Sequence, residues 1–320
     1  MKPSASILAF GMFATAATAG TVVYDTKTAT PVASSDGFAQ ARRPISNPTL
    51  FDLALPTTNL HPIFIFHNLP SQVSTNTPGG TVPMGGDVQV YALGFEIAIN
   101  ERLSIVATKD GYIEINPDTE PLWSSESGFA NLAAGLKYAF ILDPASGTAL
   151  SGTVSLELPT GNHDVFQGEG DGTINLILSG LKLINQWQFA GGTGIHLPFS
   201  DQQSTSGWMS VHASYEVSPW FIPLVELNWF HLLDAGDGRP NFGTQAGGLV
   251  PVVAEFEGFD LLNFGAANAT ENRDFVTAAF GFRSRLSESV DVGFAYEIPL
   301  TNEEDGIMDD RFTLDLIWKF

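Results

Sequence analysis

Cysteine is absent, which excludes disulfides and thiolate metal sites. Charge is sparse, at 15% of residues against roughly a quarter in ordinary soluble domains. Basic residues are the scarcest: 14 Lys and Arg stand against 35 Asp and Glu, a formal net charge of -21. Nucleic-acid binding needs clustered Lys and Arg on phosphates, so that class of partner is excluded. The chain also lacks any run of about 18 apolar residues, which excludes a transmembrane helix. A hydrophobic fraction of 44% and a mean hydropathy of +0.09 are too low for a bundle of such helices. Glycine (32 residues) and aromatics (11%) are plentiful. Turns and interfacial girdles of a β-barrel call for both.

The chain is organised around residues 311–320, R-F-T-L-D-L-I-W-K-F. Phe312, Leu314, Leu316, Trp318 and Phe320 take every second position, while Thr313, Asp315 and Lys319 fill most of the others. Period-two alternation is strand geometry. A strand with one apolar and one polar face suits a closed membrane barrel with lipid outside and polar groups within. Its terminal Phe resembles the signal by which bacterial outer-membrane barrels are recognised for assembly. The expected partners are therefore the barrel-assembly machinery, outer-membrane lipid and lipopolysaccharide, and the expected place is the outer membrane of a Gram-negative-type bacterium.

Residues 1–19 read as a signal peptide: Lys2, an apolar stretch over 7–17, and Ala17-Thr18-Ala19 as the cleavage site. Residues 20–57 read as a periplasmic arm or a lumen plug. Within them Phe51, Leu53 and Leu55 alternate before Pro56, as a short strand or a piece tucked inside the barrel. Residues 58–320 carry alternating segments at 60–68, 88–99, 102–109, 129–142, 148–158, 173–183, 187–199, 207–217, 220–232, 274–286, 290–300 and 311–320. The prediction is all-β, a single antiparallel transmembrane barrel of about twelve strands, since bacterial barrels use even numbers. Short connections (100–101, 143–147, 184–186, 218–219, 287–289) alternate with mostly long ones (110–128, 159–172, 200–206, 233–273, 301–310), so the short side is periplasmic. Trp187, Trp220, Trp229 and Trp318 fall near strand ends, where an interfacial girdle places indoles.

The stretches P-I-F-I-F-H-N-L-P (62–70), G-D-V-Q-V-Y-A-L (86–93), A-T-K-D-G-Y (107–112), E-L-P-T-G (157–161), F-E-G-F-D (256–260) and A-Y-E-I-P-L-T (295–301) resemble the outer-membrane barrels grouped with the meta-cleavage pathway of phenol degradation. The resemblance spans most of the chain from about residue 44. It implies a transporter of aromatic or hydrophobic compounds, and it supplies no catalytic residue.

The function expected is an outer-membrane channel or transporter for passive uptake of small, hydrophobic or aromatic solutes. The alternatives are a filled structural or interaction barrel and an outer-membrane lipid-modifying enzyme. For the enzyme, His212 and Ser214 have the spacing of a base beside its nucleophile. Met209, Val211, Ala213 and Tyr215 form the apolar set of that strand, so His212 and Ser214 point inward, away from lipid, and no catalytic residue is assigned. Loop residues His163, Asp164, Glu169 and Asp171 do not match the EF-hand spacing and, like Glu303, Glu304, Asp305, Asp309 and Asp310, are expected to be solvated. No metal or cofactor is assigned to them. The inward face is where the site belongs. Its lining candidates are Glu96, Lys137, Glu157, His196, His212, Glu226, Asn228, Arg283 and Glu297. Arg285 is expected to pair with Asp291, leaving a negative balance that favours cations if the lumen is open. Glu226 and Asn228 are assigned to the solute path.

Overall fold

A computed structural model describes residues 36–76, 80–120, 124–243, 247–269 and 273–320. The signal-peptide reading and residues 20–35 of the arm lie outside these. The described strands are β1 Asn59–Asn68, β2 Gln72–Ser74, β3 Thr81–Pro83, β4 Gly86–Ala98, β5 Leu103–Lys109, β6 Tyr112–Pro117, β7 Glu126–Phe129, β8 Leu132–Asp143, β9 Thr148–Leu158, β10 Thr173–Ile184, β11 Trp187–Pro198, β12 Thr205–Tyr215, β13 Ile222–Asp234, β14 Asp274–Arg285, β15 Val290–Pro299 and β16 Asp310–Lys319.

Alternation builds the wall. On β16 the outward Phe312, Leu314 and Trp318 are exposed, whereas Arg311, Thr313, Asp315 and Ile317 are buried. Antiparallel neighbours run from β16 back through β8, then β5 and β4, and β1 pairs with both β4 and β16. That closes a barrel of twelve strands, with no free edge in the membrane. Trp187, Trp220 and Trp318 stand exposed on the outer face. Trp229 is half-buried, its indole N–H donating to Asp274 at 2.8 Å.

The wall departs from the sequence expectation at one place. Residues 110–128 were expected to be loop and 129–142 one strand, but β6 and β7 form a paired hairpin and Phe129 ends it. The physical reason is the length of β4. Its residues Phe95 to Ala98 pair with β5, and Gly86 to Tyr91 would be left with unpaired backbone groups if β6 did not take them. Between these two runs Ala92, Leu93 and Gly94 have no strand partner on that side. The Leu93 N–H instead donates to the Asp110 carboxylate at 2.8 Å. Gly111, at φ 130°, turns the chain where a Cβ would meet the Tyr91 carbonyl.

Both ends of the barrel are filled. From the short-turn side, residues 37–57 rise into the lumen, turn at Asn47 and return to β1. Asn47 has φ 52°, and its carbonyl accepts the Leu50 and Phe51 N–H groups at 3.2 and 2.9 Å. Phe51 packs on Ile177, Trp208 and Phe230, and Ile45 on Leu224, Ala279 and Ala295. Glycines on the inner wall make room: a Cβ at Gly192 would stand 2.9 Å from Phe51, and one at Gly293 2.7 Å from Ile45. From the other side, the connection between β13 and β14 folds inward. Phe256, Leu262, Phe264 and Ala266 are buried there with Ile65, Val88 and Val90 of the wall. Arm and loop meet where the Thr49 hydroxyl reaches the Asp260 carbonyl at 3.4 Å.

Candidate functional site

Strand alternation turns all nine lining candidates inward, and all are buried except His196, which is half-buried. They do not form one ring. They fall into clusters, each completed by residues from the arm or a loop.

Glu96 of β4 and Lys137 of β8 approach to 3.0 Å. The arm adds Asp52, 2.5 Å from Lys137, and Arg43, 3.2 Å from Glu96 and paired with Asp52. The Ser104 hydroxyl donates to Glu96 at 2.6 Å. Arg283 of β14 holds Asp315 through two hydrogen bonds of 3.0 and 2.8 Å and donates to the Arg43 carbonyl at 2.9 Å. His61 touches Asp315 from the other side at 2.9 Å. Arg42 pairs with Glu216 at 3.0 Å.

Glu226, His212, Asn228 and Glu297 make the central cluster. Glu226 accepts the Ile45 N–H at 3.0 Å, the Ser46 N–H at 2.6 Å and the Ser46 hydroxyl at 2.5 Å. Asn228 donates to Ser46 at 3.0 Å and to Glu297 at 2.9 Å. The sequence assigns Glu226 and Asn228 to a solute path, but the structure engages both in gripping the arm. Arg285 and Asp291 do face each other across β14 and β15, at 3.9 Å, but Arg285 is nearer Glu216, at 3.5 Å, and Lys319 is the closer partner of Asp291, at 2.7 Å.

His212 links Glu226, at 2.6 Å, to the Ser214 hydroxyl, at 2.9 Å. These are the contacts of an activated serine. Ser214 is buried, however, and lines none of the described cavities. Glu226 is also occupied by the arm, so the cluster reads as a packing network.

Glu157 and His196 belong to a separate polar cavity with Lys109, whose ammonium lies 2.7 Å from Glu157. Beside it is a larger and mostly apolar cavity, bounded by Ile63, Ile65, Val90, Val106, Ile113 and Leu261 together with Arg43, Asp52, His61 and Glu96 of the clusters above. Its lining includes Phe95, which is 37% exposed on the outer face, and Asp110. The cavity therefore reaches the unpaired stretch of the wall.

No protein family matches the sequence, and no curated protein matches it. Solved structures do. An outer membrane channel from Pseudomonas putida F1 superposes with a TM-score of 0.58 at 14% identity, covering 82% of this chain and 96% of that one. The chain shares that fold. The NanC porin (TM-score 0.47, 6% identity, 82% of this chain and 100% of that one) and the KdgM porin (0.43, 8%, 81% and 99%) also match.

The residues that sequence reading missed are Arg42, Arg43 and Asp52 in the arm, Lys109 at the break, and the pair Arg311 and Asp260. Arg311 grips Asp260 with bonds of 2.5 and 3.0 Å. A signal was present for two of them: Arg42 and Arg43 stand together in a chain with 14 basic residues, inside a stretch otherwise polar and small. Asp305, expected to be solvated, instead pairs with Arg273 at 2.6 Å. His163 lies 3.0 Å from Glu169 on the exposed loop.

Proposed function

We propose that this barrel is a channel for passive uptake of small hydrophobic or aromatic solutes. The observation that carries the reading is the apolar cavity between the arm and the long loop, which reaches the break beside β4. A polar solute crossing the lumen axis would have to displace the arm and its ion pairs. An apolar one reaching the break meets apolar side chains and a stretch of wall with few hydrogen bonds to open. The stretches that resemble the phenol meta-cleavage group support the same reading, because five of the six contribute lining: Ile63 and Ile65, Val88 and Val90, Thr108 and Lys109, Glu157, and Asp260.

Uptake into proteoliposomes enclosing a naphthalene-sequestering trap tests it. Protein should accelerate naphthalene influx and leave arabinose influx unchanged. Ala92→Trp, which fills the cavity beside the break, should cut the acceleration several-fold. Full uptake in that variant would remove the lateral route. No acceleration by the native protein would favour the filled structural barrel, which the arm's many ion pairs support as the second reading.

A further inference from the structure

The two cavities are adjacent compartments. Thr49, Thr108, Lys109, Asp260, Leu261 and Leu262 line both; beyond that partition the larger one is mostly apolar, with Arg43, Asp52 and Glu96 already paired among themselves, and the smaller one is mostly polar. Part of the wall of the smaller one is a polar row held at one height by strand pairing: Asn175 lies opposite His196, and His196 opposite Ser206.

Its ions are already matched. Lys109 pairs with Glu157 at 2.7 Å, Asn131 donates to the same carboxylate at 2.9 Å, and Asp260 is held by Arg311. Thr108 and Ser155 bond each other at 2.8 Å. Asn175 is left over. It is 5% exposed, lines the cavity, and its Oδ1 has no hydrogen-bond partner among the described residues. A buried amide oxygen without a donor is costly and needs an explanation.

We infer that the smaller compartment is a head-group subsite, taking the hydrogen-bond-donating end of a neutral solute whose apolar body fills the larger cavity. This rests on the uptake reading above and narrows its substrate class. A group that bonds Asn175 Oδ1 must be a donor, which ethers and esters lack. A carboxylate or phosphate cannot donate when ionised and would meet Glu157 and Asp260. An ammonium would bring an unmatched charge among ions that already have partners. A hydroxyl on an apolar skeleton satisfies Asn175 without adding charge, and its oxygen can accept a bond from His196 or Lys109 in return.

The experiment compares 2-naphthol, 2-methoxynaphthalene and 2-naphthoate binding to the purified barrel in lipid nanodiscs, with empty nanodiscs as baseline. 2-Naphthol should bind about 3- to 10-fold more tightly than the ether, as one hydrogen bond provides, and 2-naphthoate more weakly than either. Asn175→Ala should erase the difference between naphthol and ether. Equal native affinities for those two, a difference that survives Asn175→Ala, or tightest binding of the carboxylate would overturn the subsite and leave the apolar cavity standing. No binding of any of the three above baseline would overturn both. The comparison on native protein needs no variant, so a failure of Asn175→Ala to assemble does not remove the test.

Discussion

The Glu226 carboxylate collects the Ile45 and Ser46 N–H groups, the Ser46 hydroxyl and His212, so it decides whether the arm stays seated. Glu226→Ala leaves buried donors unpaired, at about 1 to 3 kcal/mol each. Limited proteolysis should then cut within residues 37–57, where the native barrel resists. Resistance in the variant would show that apolar packing of Ile45 and Phe51 holds the arm unaided. Glu257 of the long loop accepts the Ser204 hydroxyl at 2.6 Å and the Phe264 and Ala266 N–H groups at 2.8 and 2.9 Å, yet burial pushes its carboxyl up from the ordinary range. A carboxyl raised in the folded state contributes stability that is fully present below its unfolded value of 4.5 and is lost as pH rises through the folded one. Hydrogen exchange over residues 255–269 should therefore speed up as pH rises above 4.5, once corrected for intrinsic rates, and Glu257→Gln should flatten that dependence. An identical profile in both proteins would place the pH response elsewhere.

At the scale of elements, the two faces of one strand carry different penalties. Phe294 faces lipid beside Phe282 and Phe312, with ring centroids 6.1 Å away in each case. Arg there costs about 2 to 4 kcal/mol at the bilayer midplane. Sequence alternation alone makes Ala295→Arg the milder change, because an inward position in an open lumen meets water. Ala295 is instead packed against Ile45, Leu224 and Ala279. Both substitutions should reduce heat-modifiable folded protein, and only Ala295→Arg should also expose the arm to protease. Equal arm exposure in the two variants would contradict this packing.

Over the whole molecule, the charge balance depends on what fills the lumen. Removing residues 38–56 takes away Arg42, Arg43 and Asp52 and leaves Glu96, Glu157, Glu226 and Glu297 on the wall. With the inward-folded 235–273 connection shortened as well, the truncated barrel should conduct in a planar bilayer and prefer cations, while the intact protein conducts far less. Anion preference in the truncated barrel would mean that Lys137, Arg283 and Arg311 dominate the opened lumen.

The twelve strands that close the barrel, their faces, the even count and the short turns were legible because each follows from local alternation. On β16 or β14 a side chain's face is set by its own position, whatever lies across the lumen. Five residues decided what sequence could not reach. Arg42 and Arg43 lie in a stretch without periodicity, and their partners Glu216 and Glu96 are 174 and 53 positions away. Asp110 and Gly111 look like loop punctuation, and only the pairing of β4 with two successive strands turns them into a break in the wall. Asn175 reads as one polar residue among many on an inward face. Its missing partner becomes visible only when β5, strands β9 to β12 and the long loop enclose it. The barrel is written in short-range pattern, whereas its contents depend on contacts between residues far apart in the chain, which no local pattern records.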